Sequence, residues 1–214
     1  MKRVWFAAFV VTLTVLCTSV LALGASYPNL SVTIPKVSAP VIDGKLNDAA
    51  WLTASIAGGK YVVDASNMGD QLTQYPRVAY VGYDDNALYV AVMVFTPDVA
   101  KLVGEGPNWW TTDEVEIFVD PFHAGAPIQI GITSAGHISV SDVDAVVSKE
   151  GIRWIVEAAI PWSAIGGIAP KPGDKWGINF CGRQMADGDM WLAYNVPFGA
   201  FRQADKMADA VFGE

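Results

Sequence analysis

The chain has 214 residues, of which 52% are hydrophobic and only 17% charged, and its formal net charge is −8. Phosphate backbones are gripped by lysine and arginine, so an acidic chain of this kind argues against nucleic acid as a partner. With two cysteines, Cys17 and Cys181, no multi-disulfide framework stands behind the fold.

Lys2 and Arg3 precede an apolar run from Val4 to Leu23, and the run ends in the small residues Gly24 and Ala25. A basic start, an apolar stretch and a small-residue exit are the marks of a secretory signal peptide. The competing reading is a retained membrane anchor, because the run approaches the roughly 20 residues that span a bilayer. Residues 1–25 are therefore expected to be a cleaved signal, with residues 26–214 forming one secreted or periplasmic domain without a membrane segment. Cleavage would take the net charge from −8 to −10, since the segment contains two basic and no acidic residues. Leu16 stands where a lipoprotein would carry a small residue, so Cys17 is read as discarded. Cys181 then remains alone, in an apolar stretch that suits a buried, inert thiol.

Ser26 to Pro40 reads as a lead-in with one edge strand. Asn47 to Ser55 can form a short helix capped by Asn47. Arg77 to Tyr83 and Ala87 to Phe95 are Val- and Tyr-rich and flank Asp84-Asp85-Asn86, residues suited to a hairpin turn. The second strand is apolar on both faces and is expected to be central. Glu114 to Asp120 alternates, with Val115, Ile117 and Val119 facing one way and Glu114, Glu116, Phe118 and Asp120 the other. Ile128 to Thr133 sets three isoleucines against Gln129, Gly131 and Thr133. Ile152 to Ile160, Trp176 to Arg183 and Asp209 to Phe212 are further strands, and Pro161 to Ile165 a single helical turn. Many short strands with turn residues between them, and no amphipathic helices, predict an all-β fold. It is an antiparallel, jelly-roll-like β-sandwich with one or two short helices.

Catalysis finds little support. Glu114 and Glu116 share a strand face about 7 Å apart by strand geometry, within the separation glycosidases use. Those enzymes, however, place their carboxylates on opposite sides of the scissile bond. Asp113, Glu116 and Asp120 are better read as a polar sheet face, and His123 and His137, the only histidines, support neither a triad nor a metal cluster. The tryptophans say more. Trp51, Trp154, Trp162 and Trp176 lie in apolar segments and belong to the core. Trp109 and Trp110 are adjacent in a loop between Pro107-Asn108 and Thr111-Thr112-Asp113, and Trp191 follows the polar turn Ala186 to Asp189. Exposed indoles suit the C–H faces of sugar rings, and neighbouring carboxylates and amides suit the hydroxyls.

Five phrases, in order, carry a family resemblance. They are Val41 to Trp51 (Val-Ile-Asp-Gly-Lys-Leu-Asn-Asp-Ala-Ala-Trp), Asp84 to Ala91, Trp110 to Asp120 (Trp-Thr-Thr-Asp-Glu-Val-Glu-Ile-Phe-Val-Asp), Trp154 to Trp162, and Trp176 to Phe180. Together they resemble the family 9 carbohydrate-binding module. The resemblance implies a non-catalytic β-sandwich that binds plant-type or other polysaccharide chains or their ends, in support of glycoside hydrolases. A glycoside hydrolase partner is expected to act in trans. It further implies that Trp110 and Trp191 clamp a sugar while Glu116 bonds its hydroxyls, with Trp109 and Gln129 beside them. The family arginine of the neighbouring strand is replaced by Gly131, and Arg183 is the one candidate to stand in for it. Members often hold structural calcium; Asp43, Asp48, Asp113 and Asp120 are the conceivable oxygen donors, but no EF-hand-like spacing exists and no metal ligands are assigned. Two alternatives remain: a haem-binding electron-transfer sandwich, using Met93 with His123 or His137, and a surface domain whose aromatics meet protein.

Overall fold

Alternation of apolar and polar residues shapes most of the chain. The computed structural model describes residues 28–214, so the expected signal segment lies outside the described residues. Two sheets stack face to face. One runs β1 (Ser31–Ile34), β11 (Ala208–Phe212), β9 (Lys175–Gln184), β5 (Glu114–Asp120) and β6 (Ile128–Thr133); β10 (Met190–Ala193) extends the β11 edge of β9. The other runs β2 (Lys60–Ala65), β3 (Leu72–Tyr83), β4 (Ala87–Phe95), β8 (Arg153–Pro161) and β7 (Asp144–Glu150). Pairing is antiparallel apart from β1, which lies parallel to β11.

The sandwich interior is built from alternate residues of both sheets: Val115, Ile117 and Val119 of β5, Trp176, Ile178 and Phe180 of β9, Val90, Val92 and Val94 of β4, and Trp154 and Val156 of β8. Both faces of β4 are buried, as its composition predicts, because it sits centrally and its second face lies under α1 (Ala49–Ile56). The helix is capped by Asp48 rather than Asn47, and Asp48 makes no side-chain cap bond. Trp51 explains the docking: its Nε1 donates to Glu157 Oε1 at 2.7 Å, while Oε2 of that buried carboxylate accepts the N–H groups of Asp43, Gly44 and Lys45. Glu157 thus ties the Val41–Trp51 phrase to the centre of the second sheet.

One residue crosses the interior. Arg77 of β3, 1% exposed, donates from Nη1 to the carbonyls of Glu114 and Cys181 and from Nη2 to that of Arg183. These carbonyls lie at and just beyond the last pair of the β5–β9 ladder, Glu116–Cys181. Gly182 makes this possible: a side chain there would run into Arg77 Nη1 and the Glu114 carbonyl.

Candidate functional site

The polar face of β5 is not a solvated one. All seven residues of the strand are buried, because a second layer covers the outer face of this sheet: Phe118, Cys181, Ala193, Phe201 and Met207 cluster there with Trp191 against them. In that layer a cavity of about 390 Å³ opens, lined by Asn67, Trp110, Glu116, Phe118, Gln129, Trp191, Ala200, Phe201 and Arg202. This lies within the usual volume range of small-molecule sites, and the combination of aromatic walls with a few convergent polar groups is also typical. Trp110, Trp191, Glu116 and Gln129, singled out in the sequence, are thus brought together in one place.

Each wall has its own support. Trp110, 45% exposed, stands edge-to-face on Trp109 with ring centroids 5.5 Å apart. Trp109 does not line this cavity. Its indole packs against Gly131, where a Cβ would meet Trp109 Cζ3 at 2.1 Å. The position at which the family resemblance implies an arginine is therefore filled by an indole, and only glycine leaves room for it. Asn108 and Thr111 close a capping box around the short turn Trp109–Thr111 that presents the pair.

Trp191 is fixed on several sides. Its carbonyl accepts Asn67 N–H at 2.8 Å, its ring leans on Phe201 at 5.6 Å, and the Arg183 guanidinium sits 4.9 Å from its centroid. Arg183 in turn is clamped by both oxygens of Asp189, at 2.6 and 2.9 Å. Arg183 therefore backs the tryptophan by a cation–π contact and does not reach the cavity. The guanidinium that does line it is Arg202, a loop residue outside every motif and periodic segment. Asn67 and Phe201 likewise lie in loops far from the β5 phrase in sequence, and no periodicity marks them.

The floor is electrostatically unusual. Glu116 is 2% exposed and accepts a hydrogen bond from Gln129 Nε2 at 2.5 Å. Burial raises its carboxyl above the usual range, opposed by the Gln129 bond and by Arg77. Glu114, two residues back on the same face, is wholly buried and pushed well above that range, by burial first and then by the charge of Glu116. Cys181, opposite Glu116 on β9, is a buried free thiol whose pKa burial also raises.

The four aspartates considered for calcium do not fit it. Asp113 spends its oxygens on the N–H groups of Val103, Met185 and Ala186, and Asp120 on those of Gly125 and Ala126. Asp43 binds its neighbour Lys45 through both N–H and Nζ, and Asp48 stands at the start of α1, where its side chain makes no cap bond. Among the described residues no group of three or more His, Cys, Asp or Glu side chains is placed to hold a metal ion. A haem ligand pair is equally unsupported. Met93 lies in the second sheet and takes a contact from Arg153, whereas His123 pairs with Asp209 of the first sheet and His137 follows β6 of that same sheet.

Comparison with known proteins agrees with this architecture. No curated protein matches the chain. Among solved structures, a family 9 carbohydrate-binding module from Caldicellulosiruptor kristjanssonii in complex with glucose superposes with a TM-score of 0.67 at 20% identity, covering 85% of this chain and 96% of that one. The module from the same organism in complex with cellotriose gives 0.67 at 19% identity, covering 86% and 93%. A candidate carbohydrate-binding protein from Bacteroides uniformis gives 0.66 at 16% identity, covering 86% and 99%. These likenesses establish the fold. The carbohydrate family 9 binding domain-like family matches residues 42–191, well over half of the chain. The chain belongs to that family, whose domains are non-catalytic binding modules.

Proposed function

We propose that the domain binds carbohydrate in the cavity between Trp110 and Trp191. The observation that carries this reading is the joining of two indoles, from a loop after β4 and from β10, with a buried Glu116–Gln129 pair in a single cavity. Indole faces stack on the apolar faces of pyranose rings. Glu116 accepts from ring hydroxyls, and Arg202 and Asn67 offer donors at the cavity wall. The glucose and cellotriose complexes of the structural neighbours support a β-glucan unit or its like as ligand. The reading extends to an exported domain, delivered by residues 1–25, that serves polysaccharide breakdown by a glycoside hydrolase.

Calorimetric titration of residues 26–214 with glucose, cellotriose and xylo-oligosaccharides tests the proposal. Saccharide heat that disappears in a folded Trp110→Ala variant is the expected result. Heat unchanged in Trp110→Ala and Trp191→Ala, or no heat with any saccharide from a folded protein, refutes it.

A further inference from the structure

Glu114 lies directly behind Glu116 and has no part in the reading above. Its Oε1 accepts the N–H of Arg183 at 2.6 Å, and its Oε2 is fully buried without a hydrogen-bond donor from any other side chain or backbone group. What faces it is the carboxyl of Glu116, two residues on along the same face of β5 and itself buried, whose charge pushes Glu114 further up. A buried carboxyl oxygen that no donor reaches is best satisfied as an O–H, and two neighbouring carboxyl groups can be joined by a hydrogen bond only when one of them carries that proton.

The surrounding charges require the same. From the core side comes Arg77, the one guanidinium in this region that is wholly buried, and its bonds go to three backbone carbonyls rather than to either carboxyl. Asp113, 1% exposed, adds a further negative charge held by three N–H groups. Across β9 lies the neutral Cys181 thiol, and across β6 lie Thr133, paired with Glu114, and Gln129. The Arg183 guanidinium is spent on Asp189, Asp187 lies near Asp113, and Arg202 stands at the cavity wall. Three buried carboxyls thus face one buried guanidinium, and a proton on one of them removes the like-charge contact. Glu116 has Gln129 as a donor and Glu114 has none for Oε2, so the proton belongs on Glu114.

We propose that Glu114 is a positioning residue for the cavity: a proton held between its carboxyl and that of Glu116 fixes the orientation in which Glu116 offers its remaining lone pairs to a ligand hydroxyl. The role in binding rests on the carbohydrate reading, whereas the shared proton does not. Deprotonation places two anions side by side, and Glu116 turns away into the cavity. Saccharide affinity therefore falls on the alkaline side of neutrality. Glu114→Gln keeps an acceptor for Arg183 N–H and a permanent donor for Glu116.

Two measurements on the full chain test this. Infrared spectra are expected to show a protonated carboxyl band at neutral pH that is missing from Glu114→Gln. Titrations with glucose and cellotriose across pH are expected to show an alkaline loss of affinity in the wild type that is absent from Glu114→Gln. Glu114→Ala, if it folds, weakens binding about tenfold or more, the scale of one misdirected charge-assisted hydrogen bond. No protonated carboxyl band, or a band that persists in Glu114→Gln, overturns the shared proton. An alkaline loss equal in wild type and Glu114→Gln overturns the positioning role. A wild type that shows the band but binds no saccharide overturns the carbohydrate reading, and the positioning role with it.

Discussion

Gly131→Ala is expected to destabilise the protein through one side chain, Trp109. The three heavy atoms nearest a Cβ at residue 131 all belong to that indole, at 2.1, 2.5 and 2.5 Å, so the ring must leave its seat on β6. Full removal of a buried tryptophan costs about 3–5 kcal/mol. Trp109 is half-buried, so its displacement costs roughly half of that, about 2 kcal/mol, including the edge-to-face contact with Trp110. Alanine in place of glycine within a strand returns about 0.5–1 kcal/mol. The net loss is then about 1–1.5 kcal/mol by the same reckoning. In a Trp109→Ala background the collision is gone, and the same substitution should be neutral or stabilise by about 0.5 kcal/mol. Urea denaturation of the four proteins in this double-mutant cycle measures the reversal of sign. Additive effects would refute the account of Gly131 as the seat of an indole. The cycle also bears on function: in Gly131→Ala the Trp110 wall loses its prop, so saccharide affinity should fall without any change in a residue that lines the cavity.

Glu157→Ala strips an acceptor from Trp51 Nε1 and from three backbone N–H groups, and should cost about 3–5 kcal/mol in denaturant unfolding; a loss below about 1 kcal/mol would show that these donors find water instead. Asp189→Asn removes the anion from the Arg183 clamp, and weaker saccharide binding with an altered Trp191 fluorescence is expected; unchanged values would separate the clamp from the site. Gly182→Ala places a Cβ 2.0 Å from Arg77 Nη1 and 2.3 Å from the Glu114 carbonyl at a φ of +148°, and should yield little folded protein; native yield and a native circular dichroism spectrum would contradict the crowding. Tyr89 is pushed up to about 12, by burial first and then by donating to Asp84. A raised phenol stabilises the fold fully below its unfolded value near 10 and loses that contribution as pH rises towards 12. Ultraviolet titration should therefore show a late-titrating Tyr89 that moves earlier in Asp84→Asn but, with burial unchanged, stays later than a free tyrosine.

Much of the framework was legible in the residues. The alternation of Val115, Ile117 and Val119 set the inward face of β5, the Asp84–Asn86 turn placed β3 beside β4, and four core tryptophans were recognised from their apolar surroundings. Several strands were not. Lys60–Ala65 leaves Val62 48% exposed beside its core residues Tyr61 and Val63, and so blurs its period. Asp144–Glu150 is a half-exposed edge strand of mixed composition. Met190–Ala193 is four residues long and pairs only because the Gly188-Asp189 turn returns it to β9.

Sequence alone determined which residue types could carry recognition: two loop tryptophans, a third after a polar turn, and a carboxylate on the outward face of β5. Those inferences depend on local chemistry, since strand period and turn composition act over a few neighbours. Only the tertiary structure decided the rest. It covered the outward face of β5 with a second apolar layer, which turned a sheet face expected to be polar into a buried carboxyl pair. It also placed Trp109 on Gly131, Arg183 behind Trp191 and Arg202 at the cavity wall. Each of these depends on contacts between residues distant in the chain. Whether a side chain lines a site or props its wall is set by what packs against it, and no local pattern records that.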